Sequence, residues 1–253
     1  KQIVENLPLI YLENFKDHKK FLKQFYLPES EQIITSSGVH HYSNFTRYIA
    51  GVEKGSKLNI VQHGGCYGQY KLHTLGDREY ELSDSFFSWG WQYKKKIIPI
   101  GVNKNFKKFQ KNNFYDKKNI YLEVRVRHPY VFRIDSSAGV YSINKYLGNL
   151  INFLEIIRKK SINQNLFVRL HARQLGCNEK KIFSNISKDI KFANSFTSID
   201  NLKESSKIFI HTSLSTGHLL SLAQNLPIII ACSYSWWSGD LLKYWYKGSS
   251  HLQ

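Results

Sequence analysis

Apolar residues along this chain fall into two patterns. Short runs bounded by glycine, asparagine, serine or proline read as buried strands: Glu31–Ser36, Leu58–Gln62, Asn119–Val126, Leu166–His171, Lys207–Ile210 and Pro227–Ala231. Between them lie stretches with helical spacing. Tyr42–Glu53 places Phe45, Tyr48, Ile49 and Val52 on one face, and Gly55 stops it. Tyr141–Lys160 is the clearest amphipathic helix, with Tyr146, Leu147, Leu150, Phe153, Leu154 and Ile157 as a core stripe. Leu219–Gln224 reads as a shorter helix. Leu7–Glu13 is a short extended lead-in before a charged helical stretch to Tyr26. His73–Leu82 reads as a helix or extended loop, Ser83–Trp91 as a polar turn entering an aromatic strand, and Trp236, Trp237 and Trp245 as a final aromatic helix or hairpin. The strand-helix-strand rhythm implies parallel pairing and an α/β fold. Pro99–Lys118 is basic and lacks periodic hydrophobicity, so it reads as a linker with a loop. The expected domains are therefore 1–100 and 119–253, joined by 101–118.

Composition sharpens this picture. A chain of 253 residues, 42% hydrophobic, has material for two ordinary cores. No run is long enough to cross a bilayer, and no signal peptide begins the chain, so a cytoplasmic location is expected. Cys66, Cys177 and Cys232 are odd in number and lack metal-ligand spacing, which fits a reducing compartment. The net charge of +17 favours anionic partners: phosphorylated substrates, lipid headgroups or nucleic acid. No sheet motif or zinc-finger spacing of a nucleic-acid reader is present, so nucleic acid is not the expected partner. Methionine is absent altogether, which suggests an internal portion of a longer protein.

The chemistry concentrates at strand ends. Leu58–Val61 runs into Gln62-His63-Gly64-Gly65-Cys66-Tyr67-Gly68, a glycine-rich turn carrying a histidine and a tyrosine. Glycines there let main-chain N–H groups approach a ligand, and His63 can exchange a proton near neutral pH. A tight turn with a capping histidine is the alternative. Asp84 precedes the aromatic strand; a turn or capping aspartate is the simpler local reading. Its company with Glu13 and His63 raises an acid, base and nucleophile set. Arg125-Val126-Arg127-His128-Pro129-Tyr130-Val131-Phe132-Arg133 is a cationic loop able to clamp phosphate or carboxylate. Thr212, Ser213, Ser215 and Thr216 line a strand-to-helix junction, where hydroxyls and free N–H groups form either an anion site or ordinary caps. Neither an Asp-x-Asp pair nor a histidine cluster with ligand spacing occurs, so metal dependence is not expected.

In this order, Leu-Pro-x-x-Tyr-x-Glu from Leu7, Gln-His-Gly-Gly-x-Tyr-Gly from Gln62, Ser-Asp-x-x-x-Ser-Trp-Gly-Trp from Ser83, Val168-Arg169-Leu170 and the Ser/Thr turn followed by Asn225-x-Pro227 resemble the transferases of bacterial O-antigen and surface-polysaccharide clusters. These are distantly similar to retaining β-Kdo glycosyltransferases. The resemblance implies a GT-B-like arrangement, two Rossmann-type domains with parallel sheets facing a central cleft. It implies a nucleotide-sugar substrate such as CMP-Kdo or a related acidic sugar, no separate cofactor, and a glycan or lipid-linked glycan acceptor, while the basic charge itself suits a peripheral place at an anionic membrane face. The resemblance further implies a double displacement with Asp84 as nucleophile, Glu13 as acid or base, and His63, Gly64, Gly65, Tyr67 and Gly68 holding the reacting sugar or acceptor. Arg125, His128 and Arg133 would face sugar carboxylate or phosphate; Arg169, Ser213, Ser215 and Thr216 would hold the nucleotide. The chain departs from the pattern at Leu219-Leu220, where the resemblance calls for a glutamate. UDP-, GDP- and dTDP-sugars stay open as donors. A non-catalytic module binding anionic glycan or nucleic acid, and a nucleotide-sugar epimerase, are the competing functions.

Overall fold

The computed structural model describes residues 16–17, 20, 30–40, 51–52, 54–69, 73–104, 115–125, 140–159, 165–172, 178–186, 188 and 190–231. The chain divides into two compact units, residues 1–63 with 74–101 and residues 64–73 with 102–253. The glycine turn, which the sequence places with the first domain, thus packs with the second unit from Gly64 onward. The lead-in at 7–13 and the final tryptophans lie outside the described residues.

The first unit is a parallel four-stranded sheet in the order β1 (Gln32–Thr35), β2 (Lys57–Val61), β3 (Ser85–Ser88), β4 (Ile97–Pro99). Leu58, Asn59 and Ile60 are buried in succession, so β2 is covered on both faces, as parallel strands require. Helix α1 (Thr74–Leu82) makes the crossover from β2 to β3, and its Tyr80 packs edge-on against Phe86. The sequence assigns Pro99 to the linker; the structure instead pairs it with Ser88 as the last residue of an edge strand. Proline is tolerated there because an edge position asks for no ladder N–H on its open side.

The second unit is a parallel five-stranded sheet in the order β7-β6-β5-β8-β9. Its elements in chain order are β5 (Asn119–Glu123), α2 (Val140–Lys159), β6 (Leu166–Arg169), α3 (Glu179–Ile186), β7 (Lys191–Phe192), α4 (Ile199–Leu202), β8 (Ser206–His211), α5 (Thr216–Ala223) and β9 (Ile228–Ile230). Successive residues of β5 and β8 face opposite sides. Leu122 and Ile210 pack with Leu150, Leu154 and Ile157 of α2, while Tyr121 and Phe209 pack with Ile199, Leu202 and Leu226. Burying each such side chain contributes about 1.5–3 kcal/mol, so Leu122→Ala, at a fully buried site, would cost about 2–5 kcal/mol. Of the expected stripe on the long helix, Tyr146, Leu150, Phe153, Leu154 and Ile157 lie in or against this core. Strands β5 and β8 are neighbours although the chain runs out through β6 and β7 before returning. Strand order reverses between them, and this is where ligands bind in open α/β sheets. Among the described residues no helix is long and apolar enough to cross a membrane.

Candidate functional site

Each sheet presents polar residues at its carboxyl edge. In the first unit, β2 ends at Val61 and Gln62 turns inward, fully buried. Its Oε1 accepts from the Trp89 amide at 2.8 Å and from Trp91 Nε1 at 2.9 Å, which ties the loop after β3 to the loop after β2. His63 follows with its side chain 39% exposed, and its Nδ1 lies 3.9 Å from Oε1 of Glu79, a carboxylate on α1 that is 0% exposed. Sequence reasoning missed Glu79, because a glutamate in a charged helix reads as a solvated residue until the helix face is known.

Asp84 does not join His63, which corrects the expected nucleophile set. Its Oδ2 accepts the Leu58 amide at 2.7 Å and its own amide donates to the Leu58 carbonyl at 2.8 Å, so it caps the amino edge of the sheet. His63 lies five positions beyond Leu58, along β2 and its exit, on the order of 16 Å at about 3.3 Å per residue. The physical reason is direction: in a parallel sheet the residue before one strand sits at the end opposite to the residue after its neighbour. Glu13 lies outside the described residues, as do His128 and Arg133.

In the second unit the glycine turn and the hydroxyl-lined junction do come together. The Gly65 amide donates to Thr216 Oγ1 at 3.0 Å, and Cys66 Sγ contacts the Leu214 carbonyl at 3.0 Å. A Cβ on Gly65 would stand 2.2 Å from the Ser215 carbonyl carbon, so only glycine lets the turn lie flat on the start of α5. Tyr67, expected to touch substrate, is 2% exposed and packs edge-on against His73; it anchors the turn instead. Gly64 is buried, and Gly68 adopts φ 67°. Ser215 caps α5, its Oγ accepting from the Gly217 amide at 3.3 Å. Ser215 and Thr216 each use an oxygen lone pair in these bonds, and each keeps a hydroxyl proton to donate. Ser213 is buried beside them.

Beneath this turn lies a buried charge network that the sequence reading did not single out. Glu123, at the carboxyl end of β5, meets Arg169 Nη1 at 2.9 Å and His211 Nδ1 at 2.6 Å. Arg169, expected to hold nucleotide, also donates from Nη2 to the Thr197 carbonyl at 3.1 Å, so both of its terminal nitrogens brace protein groups. Burial pushes the Glu123 carboxyl up, but the bond to His211 and the charges of His211, Arg169 and His218 outweigh it and hold the group below its ordinary value. Gly217 makes room: a Cβ there would lie 2.1 Å from Glu123 Oε2. His211 Nε2 pairs with Ser221 Oγ at 3.0 Å, giving the carboxylate, imidazole and hydroxyl order of a nucleophilic triad. Ser221 is 0% exposed, so no substrate reaches it and the chain of bonds is a scaffold. His218 Nε2 lies 3.1 Å from Gln69 Nε2, and burial with the nearby His211 charge lowers its pKa to about 4. Arg125 donates its amide to Tyr146 Oη at 3.2 Å, and Tyr146 pairs with Thr212 Oγ1 at 2.7 Å. A usable signal existed for Glu123 and His211: each is an ionisable residue ending an apolar strand.

Among the described residues no group of three His, Cys, Asp or Glu side chains is placed to hold a metal ion. No curated protein matches the chain. Among solved structures it is similar to an S. aureus MnaA co-structure with UDP, at 13% identity and a TM-score of 0.48, covering 88% of this chain and 63% of that one. It is also similar to TarM, at 12% identity and a TM-score of 0.49, covering 84% of this chain and 43% of that one. The chain thus spans less than two thirds of the length of either structure. The family of LIC12162 family transferases matches residues 1–238, and the chain belongs to that family.

Proposed function

We propose that this transferase is a glycosyltransferase of GT-B-like organisation that moves a sugar from a nucleotide-sugar to a bacterial surface-polysaccharide acceptor. The observation that carries the reading is the seating of the Gly64–Gly68 turn on the first turn of α5. It lies at the carboxyl edge of a parallel sheet, beside the strand-order reversal between β5 and β8. Hydroxyl protons of Ser215 and Thr216 and the positive end of α5 suit a donor phosphate. Arg125 and the charge of +17 favour an acidic donor such as CMP-Kdo, and a lipid-linked acceptor at an anionic membrane face. His63 serves as the acid–base group. The retaining double displacement implied by the sequence resemblance would need a carboxylate other than Asp84, given where Asp84 sits.

Calorimetry with CMP, UDP, GDP and dTDP tests the reading. One nucleotide is expected to bind the native chain, and Gly65→Ala, whose Cβ must displace the Ser215 backbone, should weaken it at least tenfold. If no nucleotide binds while polyanion affinity falls steeply with salt, the chain is a binding module instead.

A further inference from the structure

The proposed reaction uses His63, and a buried carboxylate lies within reach of its ring. Glu79 sits in the interior of α1, fully buried, where a carboxylate carries the desolvation cost of a charge. Among its neighbours is Nδ1 of a half-exposed histidine at the carboxyl end of β2. At 3.9 Å the contact is electrostatic, and its strength grows once the ring takes up a proton.

We propose that Glu79 is the positioning residue for His63, an assignment that rests on the transferase reading above. The carboxylate favours the tautomer with the proton on Nδ1, turns the Nε2 lone pair outward, and stabilises the imidazolium formed in the reaction. In that step the acceptor hydroxyl oxygen forms a bond to the anomeric carbon. The bond from that carbon to the donor phosphate breaks with its electron pair on the phosphate oxygen, and the hydroxyl proton passes to Nε2. A single displacement of this kind inverts the anomeric centre.

Nitrogen-15 NMR of the histidine rings, with His63 assigned by comparison with His63→Gln, tests the inference without any substrate. The native chain should show His63 as the Nδ1–H tautomer, titrating at higher pH than the same ring in Glu79→Gln. An Nε2–H tautomer in the native chain, or a titration that Glu79→Gln leaves unmoved, overturns the assignment. Should Glu79→Gln fail to fold, the native tautomer alone decides. The nucleotide panel fails independently: lack of nucleotide binding with the NMR signature intact removes the transferase reading and leaves the His63–Glu79 coupling standing.

Discussion

Both units carry a histidine and a glutamate at the carboxyl edge of a parallel sheet, and the two pairs are built to opposite ends. In the second unit Glu123 and His211 stand 2.6 Å apart, with His211 1% exposed and Arg169 closing the other side of the carboxylate. In the first, Glu79 and His63 are 3.9 Å apart and the ring is 39% exposed. Residue types are therefore a poor guide to role. A histidine sealed between a carboxylate and Ser221 can hold two strands and a helix in register but cannot meet a substrate, whereas one with an open edge can exchange a proton.

Removing the locked carboxylate should have the largest effect. Glu123→Ala leaves Arg169 and His211 buried without their counter-charge, and the second unit should lose about 3–5 kcal/mol in denaturant unfolding. A loss below about 1 kcal/mol would show that this network does not hold the second unit together.

Acid tests the same region next. Native His218 stays neutral to about pH 4, while in the unfolded chain it protonates near the ordinary histidine value of 6.5. Between those values the unfolded chain binds a proton that the native state refuses, so stability falls as pH falls. At pH 5 the deficit should be about 2 kcal/mol relative to pH 8, and His218→Gln should remove most of it. Glu123, held below the ordinary glutamate value, adds a further loss only at lower pH, as its native carboxylate protonates. Unfolding curves of the two chains that stay parallel from pH 8 to 5 would contradict the burial assigned to His218.

The smallest effect is expected at Asp84. Asp84→Asn keeps an oxygen to accept the Leu58 amide, so stability should change by less than about 1 kcal/mol and glycosyl transfer by no more than a few-fold. Abolished transfer with intact nucleotide binding would return Asp84 to the nucleophile role.

Much of this protein follows from the order of its residues. The runs at Leu58, Asn119, Leu166, Lys207 and Pro227 read as buried strands from their short length and turn-forming flanks and pair as parallel strands, and the stripe from Tyr146 to Ile157 has the spacing of a helix face. The glycines at 64 and 65 allowed a close backbone approach or a plain tight turn, and their packing on Ser215 and Thr216 chose the first. Tertiary structure alone decided what they approach and which ionisable groups share a site. Whether Asp84 meets His63 depends on strand direction, and whether Glu79 does depends on the rotation of α1 about its axis; neither leaves a mark in local spacing. Short polar stretches such as Ile199–Leu202 and Lys191–Phe192 take their form from packing against neighbours distant in sequence, so their pattern carried too little periodicity to be read beforehand.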